Sequence, residues 1–228
     1  MTSVATASPR RPVVVLDPGH GGSNTGARGA VAMLREKQFT LAIATALAER
    51  LRARGIDVEL TRTTDRTLTL RQRVAVANRL AADRFVSIHA NASLSRTQRG
   101  FETYILTSHA VDVDGRALRS DATTPRPGVD PEIALVLDDV ERGAAQWEAA
   151  DLAASIQRAL RDRRGADGDR GVRQDSEHVL LGATMPAVLV ELGFIDHPIE
   201  GKELADPTVQ AQLVASLAEA IVSNLAAP

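Results

Sequence analysis

Val13-Val14-Val15-Leu16, stopped at once by Asp17-Pro18-Gly19, is a short apolar run ending in turn residues. A β-branched run bounded in this way reads as a strand buried on both faces. Beyond a glycine-rich loop, Phe39, Ile43, Ala46, Leu47 and Leu51 recur at helical spacing between Glu36 and Arg54, and Gly55 stops the helix. Ile56 to Thr61 alternates as a second strand, Leu70 to Ala82 is a second amphipathic helix, and Phe85-Val86-Ser87-Ile88 is a third strand. Strand, helix, strand, helix, strand predicts a mainly parallel sheet with helices on both faces.

The remaining chain extends this pattern. Phe101 to Thr107 and Ala187-Val188-Leu189-Val190 suit two further strands, and Val209, Leu213, Leu217, Ile221 and Leu225 form a closing helical stripe. Two helical segments are expected near 131–142 and 145–163, and the charged, glycine-containing run Arg161 to Arg173 reads as a solvated loop. With no internal repeat and no linker between two cores, one α/β domain is expected over residues 13–228, behind a disordered or trimmed tail at 1–12.

Composition bounds the function. A chain of 228 residues with 44% hydrophobic residues can bury roughly 70% of its unfolded surface in one core. A net charge of −2 gives no general basic field, so nucleic acid is not an expected partner. Cysteine is absent, which removes disulfides, thiolate metal sites and cysteine nucleophiles. No run is long and apolar enough to span a bilayer, and residues 1–12 lack the apolar centre of a secretory signal. Aromatic residues make up only 3%, too few for broad stacking platforms.

Ligands of an open α/β sheet bind beyond the C-terminal strand ends, and conspicuous polar residues fall there. Asp17-Pro18-Gly19-His20-Gly21-Gly22 follows the first strand, His89-Ala90-Asn91 ends the third, and Glu191-Leu192-Gly193-Phe194 ends the late one. Glu36 opens the first helix. Two imidazoles and a carboxylate form a three-ligand catalytic zinc set with an open position. A second carboxylate can move the proton of an attacking water. Taken singly, each residue has a plainer explanation. His20 can be a turn residue, Glu36 can favour a helix N-terminus through the dipole, and Asp17 organises the loop by hydrogen bonding. Glu191, after four buried apolar residues, is costly to bury without a partner. Their joint occurrence at strand ends favours a site.

In order along the chain stand Val15-Leu16-Asp17-Pro18-Gly19-His20-Gly21-Gly22, Glu36-Lys37, Leu60-Thr61-Arg62, Phe85-Val86-Ser87-Ile88-His89-Ala90-Asn91 and Met185 to Phe194. Together these motifs resemble the zinc-dependent N-acetylmuramoyl-L-alanine amidases of bacterial cell-wall turnover, from about Val13 to Leu225. The resemblance implies a twisted, six-stranded α/β domain. It also implies one Zn2+ held by His20, Glu36 and His89, with Glu191 as the catalytic glutamate. The implied reaction cleaves the amide between the lactyl group of N-acetylmuramic acid and L-alanine of the stem peptide. Peptidoglycan is then the partner, a monomer the default, and the periplasm or cell wall the location inferred from that substrate.

Asn91 and Arg173 match family positions near the cleft and are expected to contact substrate or support the site. His109, His178 and His197 do not fall on ligand positions. Residues 108–144 are extra relative to simple members of the family. Some members place an inhibitory helix there, which covers the zinc until a partner protein removes it. The acidic residues Glu132, Asp138, Asp139 and Glu141 are therefore expected to form a segment that partly occludes the cleft, open to an activator protein. The alternative is a surface elaboration that touches nothing catalytic. Two other readings of the whole chain stay open at this point: a zinc peptidase for another amide, and a non-catalytic wall-binding or regulatory domain.

Overall fold

The expected first strand is β1 (Val13–Pro18), and it lies inside a six-stranded sheet of order β2-β1-β3-β6-β4-β5. The others are β2 (Asp57–Leu60), β3 (Arg84–Asn91), β4 (Phe101–Leu106), β5 (Asp169–Asp175) and β6 (Ala187–Phe194). The computed structural model describes residues 10–107, 130–176 and 179–227. Strands β2, β1, β3 and β6 run parallel; β4 is antiparallel to β6 and parallel to the edge strand β5. Of the expected tail, Arg10 is placed, its guanidinium 2.7 Å from Asp83; residues 1–9 lie outside the described residues.

Five helices accompany the sheet among the described residues: α1 (Glu36–Arg52), α2 (Leu70–Arg79), α3 (Pro131–Arg164), α4 (Glu200–Leu204) and α5 (Pro207–Leu225). Local chemistry fixes their ends. Thr69 and Gln72 form a reciprocal capping box on α2, and Asp206 accepts from the Thr208 amide ahead of α5, which has Pro207 at its first position. Gly55, at φ +79°, follows the end of α1 as expected.

Strand alternation sorts the residues onto two unequal faces. Val14, Leu16, Val86, Ile88, Val188 and Val190 point to the larger core with α1, α3 and α5. Val15, Phe85, Ala187 and Leu189 point to a smaller cluster with Val74 and Ala77 of α2 and Val179, Leu180 and Met185. With a two-residue period, Asp17, Ser87, His89, Glu191 and Glu102 share this second face. The small apolar cluster ends before the C-terminal ends of β3 and β6, and the polar residues stand beyond it.

Two expectations are corrected. The segments near 131–142 and 145–163 are one continuous helix, because Gly143 interrupts the pattern without breaking it; a single helical glycine costs only about 1 kcal/mol. The expected loop Arg161 to Arg173 instead holds the end of α3, a short 3-10 turn (Ala166–Gly168) and the start of β5. Pairing with β4, rather than any apolar alternation of its own, organises that strand.

Candidate metal centre

His20, Glu36 and His89 come from three separate elements and meet at one point. Glu36 is the first residue of α1 and is buried, His89 lies near the end of β3, and His20 sits in the loop after β1. Glu36 Oε1 is 2.9 Å from His20 Nε2 and 3.0 Å from His89 Nδ1. The rings pack edge to face with centroids 4.9 Å apart. One donor atom from each residue lies within 4.8 Å of the others. Zinc–nitrogen and zinc–oxygen bonds of about 2.0–2.2 Å place tetrahedral donors roughly 3.3–3.5 Å apart, so small side-chain shifts let these atoms share one ion. Two imidazoles and a carboxylate suit zinc, and the residues present fit it.

The surrounding bonds orient the donors. Asn24 Oδ1 lies 2.9 Å from His20 Nδ1 and also accepts from the Gly26 amide at 3.2 Å. The amide of Gly26 fixes which end of Asn24 faces the ring, so His20 Nδ1 carries the proton and Nε2 is directed at Glu36. Glu36 in turn accepts from Ala27 N on Oε2 at 2.8 Å and from Ala90 N on Oε1 at 3.1 Å. Burial works to raise its pKa, but hydrogen bonds and charge from His20 and His89 outweigh this and hold it well below the usual carboxylate range. Burial likewise works to lower the His20 pKa, yet Glu36 and Asn24 carry it above its ordinary value.

Glycine is required where the backbone touches the donors. A Cβ on Gly19 would sit 2.4 Å from Cε1 of His89, and one on Gly26 would sit 2.6 Å from Glu36 Oε2. His20 itself has φ +60°, a left-handed conformation that costs a non-glycine residue of order 1–3 kcal/mol.

Two buried arginines restrain that turn. Arg73 donates to Asp17 Oδ1 at 2.7 Å, to Pro18 O at 2.9 Å and to His20 O at 2.7 Å. Arg62 donates to Pro18 O at 2.9 Å, Gly19 O at 2.8 Å and Lys37 O at 2.9 Å. Asp17 is fully buried and also accepts from Thr61 and Ser87. It organises the loop, as expected, and is not one of the clustered donors. Further out, Asp65 accepts from Gly22 N and pairs with Lys37 Nζ, each at 2.7 Å.

Glu191 is opposite His89 in the β3–β6 register and opposite Glu102 in the β6–β4 register. Its side chain is therefore on the face of the donor cluster, one strand away from His89. Asn91 donates to Glu102 Oε1 at 2.8 Å, and Arg170 and Arg173 approach Glu102 Oε2 at 3.0 and 3.4 Å. Asn91 and Arg173 thus belong to one polar network beside Glu191.

The contacts that place α3 come from residues 146–164, after the expected insert. Arg164, at the end of α3, bonds to Leu192 O; Gln157 meets Thr103, Gln146 meets Leu106 O, and Glu148 pairs with Arg84 at the start of β3. Read backwards, α3 descends from the edge that carries the donors to the opposite one. Its earlier turns contain the exposed residues Ile133, Leu137, Val140 and Glu141. The side chains of Glu132, Asp138 and Asp139 lie outside the described residues, as do 108–129 with His109, and His178. His197 has a local role: its Nδ1 accepts from Glu200 N at 3.1 Å at the start of α4.

Sequence reasoning missed Asn24, Arg62 in its caging role, Arg73 and Glu102. Glu102 carried a usable signal, a charged residue inside the apolar strand Phe101 to Thr107. Arg73 carried none, since its partners are Asp17 and carbonyls of a turn more than fifty residues away, and the caging bonds of Arg62 are equally remote.

Comparison with known proteins shows which family the chain belongs to. The chain is 32% identical over 219 residues to the N-acetylmuramoyl-L-alanine amidase AmiA of Escherichia coli, covering 92% of this chain and 75% of that protein. It is 33% identical to the amidase AmiC of Neisseria meningitidis, covering 93% of this chain and about half, 52%, of that protein. The solved catalytic domain of the amidase CwlV from Bacillus (Paenibacillus) polymyxa superposes with a TM-score of 0.72 at 32% identity, over 94% of this chain and 98% of that one. Residues 14–223 match the family described as N-acetylmuramoyl-L-alanine amidase, and the chain belongs to that family.

Proposed function

We propose that this member of the family is a zinc-dependent peptidoglycan amidase in which His20, Glu36 and His89 hold the ion and Glu191 moves the proton. The observation that carries this reading is the convergence of three donors on one point, with Glu191 one strand away on the same face. When bound there, zinc supplies Lewis-acid polarisation of the scissile carbonyl and acidifies an attacking water. His20 would bind through Nε2, because Asn24 engages Nδ1, and His89 would bind through the Nδ1 that faces Glu36. Glu191 would accept the water's proton and return it to the nitrogen of L-alanine as the amide breaks. Asn91 and Arg173 would contact the substrate beside it.

Among the described residues no helix is long and apolar enough to cross a membrane. The substrate itself implies work outside the cytoplasm, in the periplasm or wall. The test is digestion of purified wall material followed by mass spectrometry. The reading expects intact stem peptides with a free L-alanine amine and glycan carrying free lactyl carboxylates. Cleavage within the peptide instead would establish a zinc peptidase, and no cleavage by zinc-loaded protein would leave a binding domain.

A further inference from the structure

A β-bulge at the edge of the sheet turns two arginines the same way. In a regular strand, residues three apart point to opposite faces, so Arg170 and Arg173 should diverge. The β4–β5 register instead runs from Phe101↔Asp169 to Thr103↔Val172, so β5 carries one extra residue there, with Gly171 at φ +82°. Such bulges re-aim side chains. Before the bulge, Asp169 follows Phe101 towards the large core, where it accepts from Gln157. After it, Arg173 is opposite Tyr104, on the face of Glu102.

Both guanidiniums consequently meet Glu102 Oε2 through Nε, at 3.0 and 3.4 Å. Arg170 is also fixed from below, its guanidinium 5.0 Å from the centre of the Phe194 ring. Glu102 is 3% exposed, whereas Arg173 is 50% exposed. Glu191, on the neighbouring strand, is a second carboxylate beside Glu102, so the four charges balance, and half-exposed Arg173 presents its guanidinium to solvent on the open edge strand.

We propose that Arg173, backed by Arg170, binds a carboxylate of the stem peptide and selects acidic over amidated peptides. This rests on the amidase reading. The residue that returns a proton to the leaving amine must be near that nitrogen, and Glu191 lies on the β4–β5 side of the donors. The peptide therefore extends towards β5 and the sugar towards β1. The lactyl carboxyl is consumed in the scissile amide, so the anion must come from the peptide. Two strand spacings, about 9–10 Å, separate β6 from β5. An extended peptide covers about 3.3–3.6 Å per residue, which puts the carboxylate on the second or third residue.

The experiment uses zinc-loaded protein and two N-acetylmuramoyl tripeptides beginning with L-alanine, one with free carboxylates at residues two and three, the other with carboxamides. The expected kcat/KM ratio favours the acid by about tenfold or more, carried mainly by KM. Arg173→Gln should bring the ratio near one, and Arg173→Lys should keep part of it. Calorimetry with the released acidic tripeptide should show about tenfold weaker binding to Arg173→Gln. Equal cleavage of both substrates by the parent protein, or a ratio that survives Arg173→Gln, overturns this inference and leaves the amidase reading intact. Failure to cleave either substrate overturns both.

Discussion

Replacing Arg73 with alanine should strongly destabilise the protein and loosen the turn that carries His20. The guanidinium makes three bonds of 2.7–2.9 Å, to Asp17, Pro18 O and His20 O, and its side chain is 5% exposed. Asp17 keeps Thr61 and Ser87 as donors but loses its ion-pair partner in a fully buried position. Removing one member of a buried pair costs about 3–5 kcal/mol, because the other charge stays behind. For a chain of this size each kcal/mol shifts Tm by roughly 2–4 °C, so the expected drop is about 6–20 °C. Thermal unfolding in chelator reads the structural part. A zinc titration of the folded variant reads the second part, since a His20 freed from its left-handed turn should bind the ion less tightly. The double variant Asp17→Asn/Arg73→Met should cost less than the sum of its single changes, by about 0.5–3 kcal/mol. A Tm change below about 2 °C for Arg73→Ala would refute the view that this network holds the turn.

Other outcomes follow from the same geometry. Glu191→Gln should leave folding and zinc affinity close to the parent while lowering turnover about a hundred- to ten-thousand-fold; near-normal turnover would remove Glu191 from its role. Gly19→Ala puts a methyl group 2.4 Å from Cε1 of His89, so competition with a chelator should show zinc bound at least about tenfold more weakly, and unchanged affinity would contradict the close packing. The raised pKa of His20 makes its protonated form stabilise the metal-free protein below about pH 6.5. That contribution is lost as pH rises through the folded value, while zinc needs the unprotonated ring. Apparent zinc affinity should therefore climb with pH above about 6.5, and Asn24→Ala should flatten the climb; a flat profile in the parent protein would count against the Asn24–His20–Glu36 relay.

Much of this was legible in the chain because the decisive residues sit where strong local signals end. The run Val13–Leu16 and the apolar periods of α1 and α2 fix a parallel sheet, and His20, His89 and Glu191 each follow a buried strand at its ligand-binding edge. Strand β5 was not legible: Asp169-Arg170-Gly171-Val172-Arg173-Gln174-Asp175 contains one large apolar residue. It becomes a strand by pairing with β4, a contact between residues about 68 positions apart. The continuity of α3 through Gly143 was hidden for a different reason. A single glycine only weakens a helix, and beyond it Leu152, Ile156 and Leu160 pack into the large core. The cage of Arg62 and Arg73 around the His20 turn is also non-local, with partners that are distant backbone carbonyls and, for Arg73, the carboxylate of Asp17.

The most direct test of the account is zinc stoichiometry in the parent protein and its variants after dialysis against a weak chelator. One zinc per chain is expected in the parent and in Glu191→Gln, and almost none in folded His20→Ala and His89→Ala. Full zinc occupancy in either histidine variant, or none in the parent at neutral pH, would contradict it.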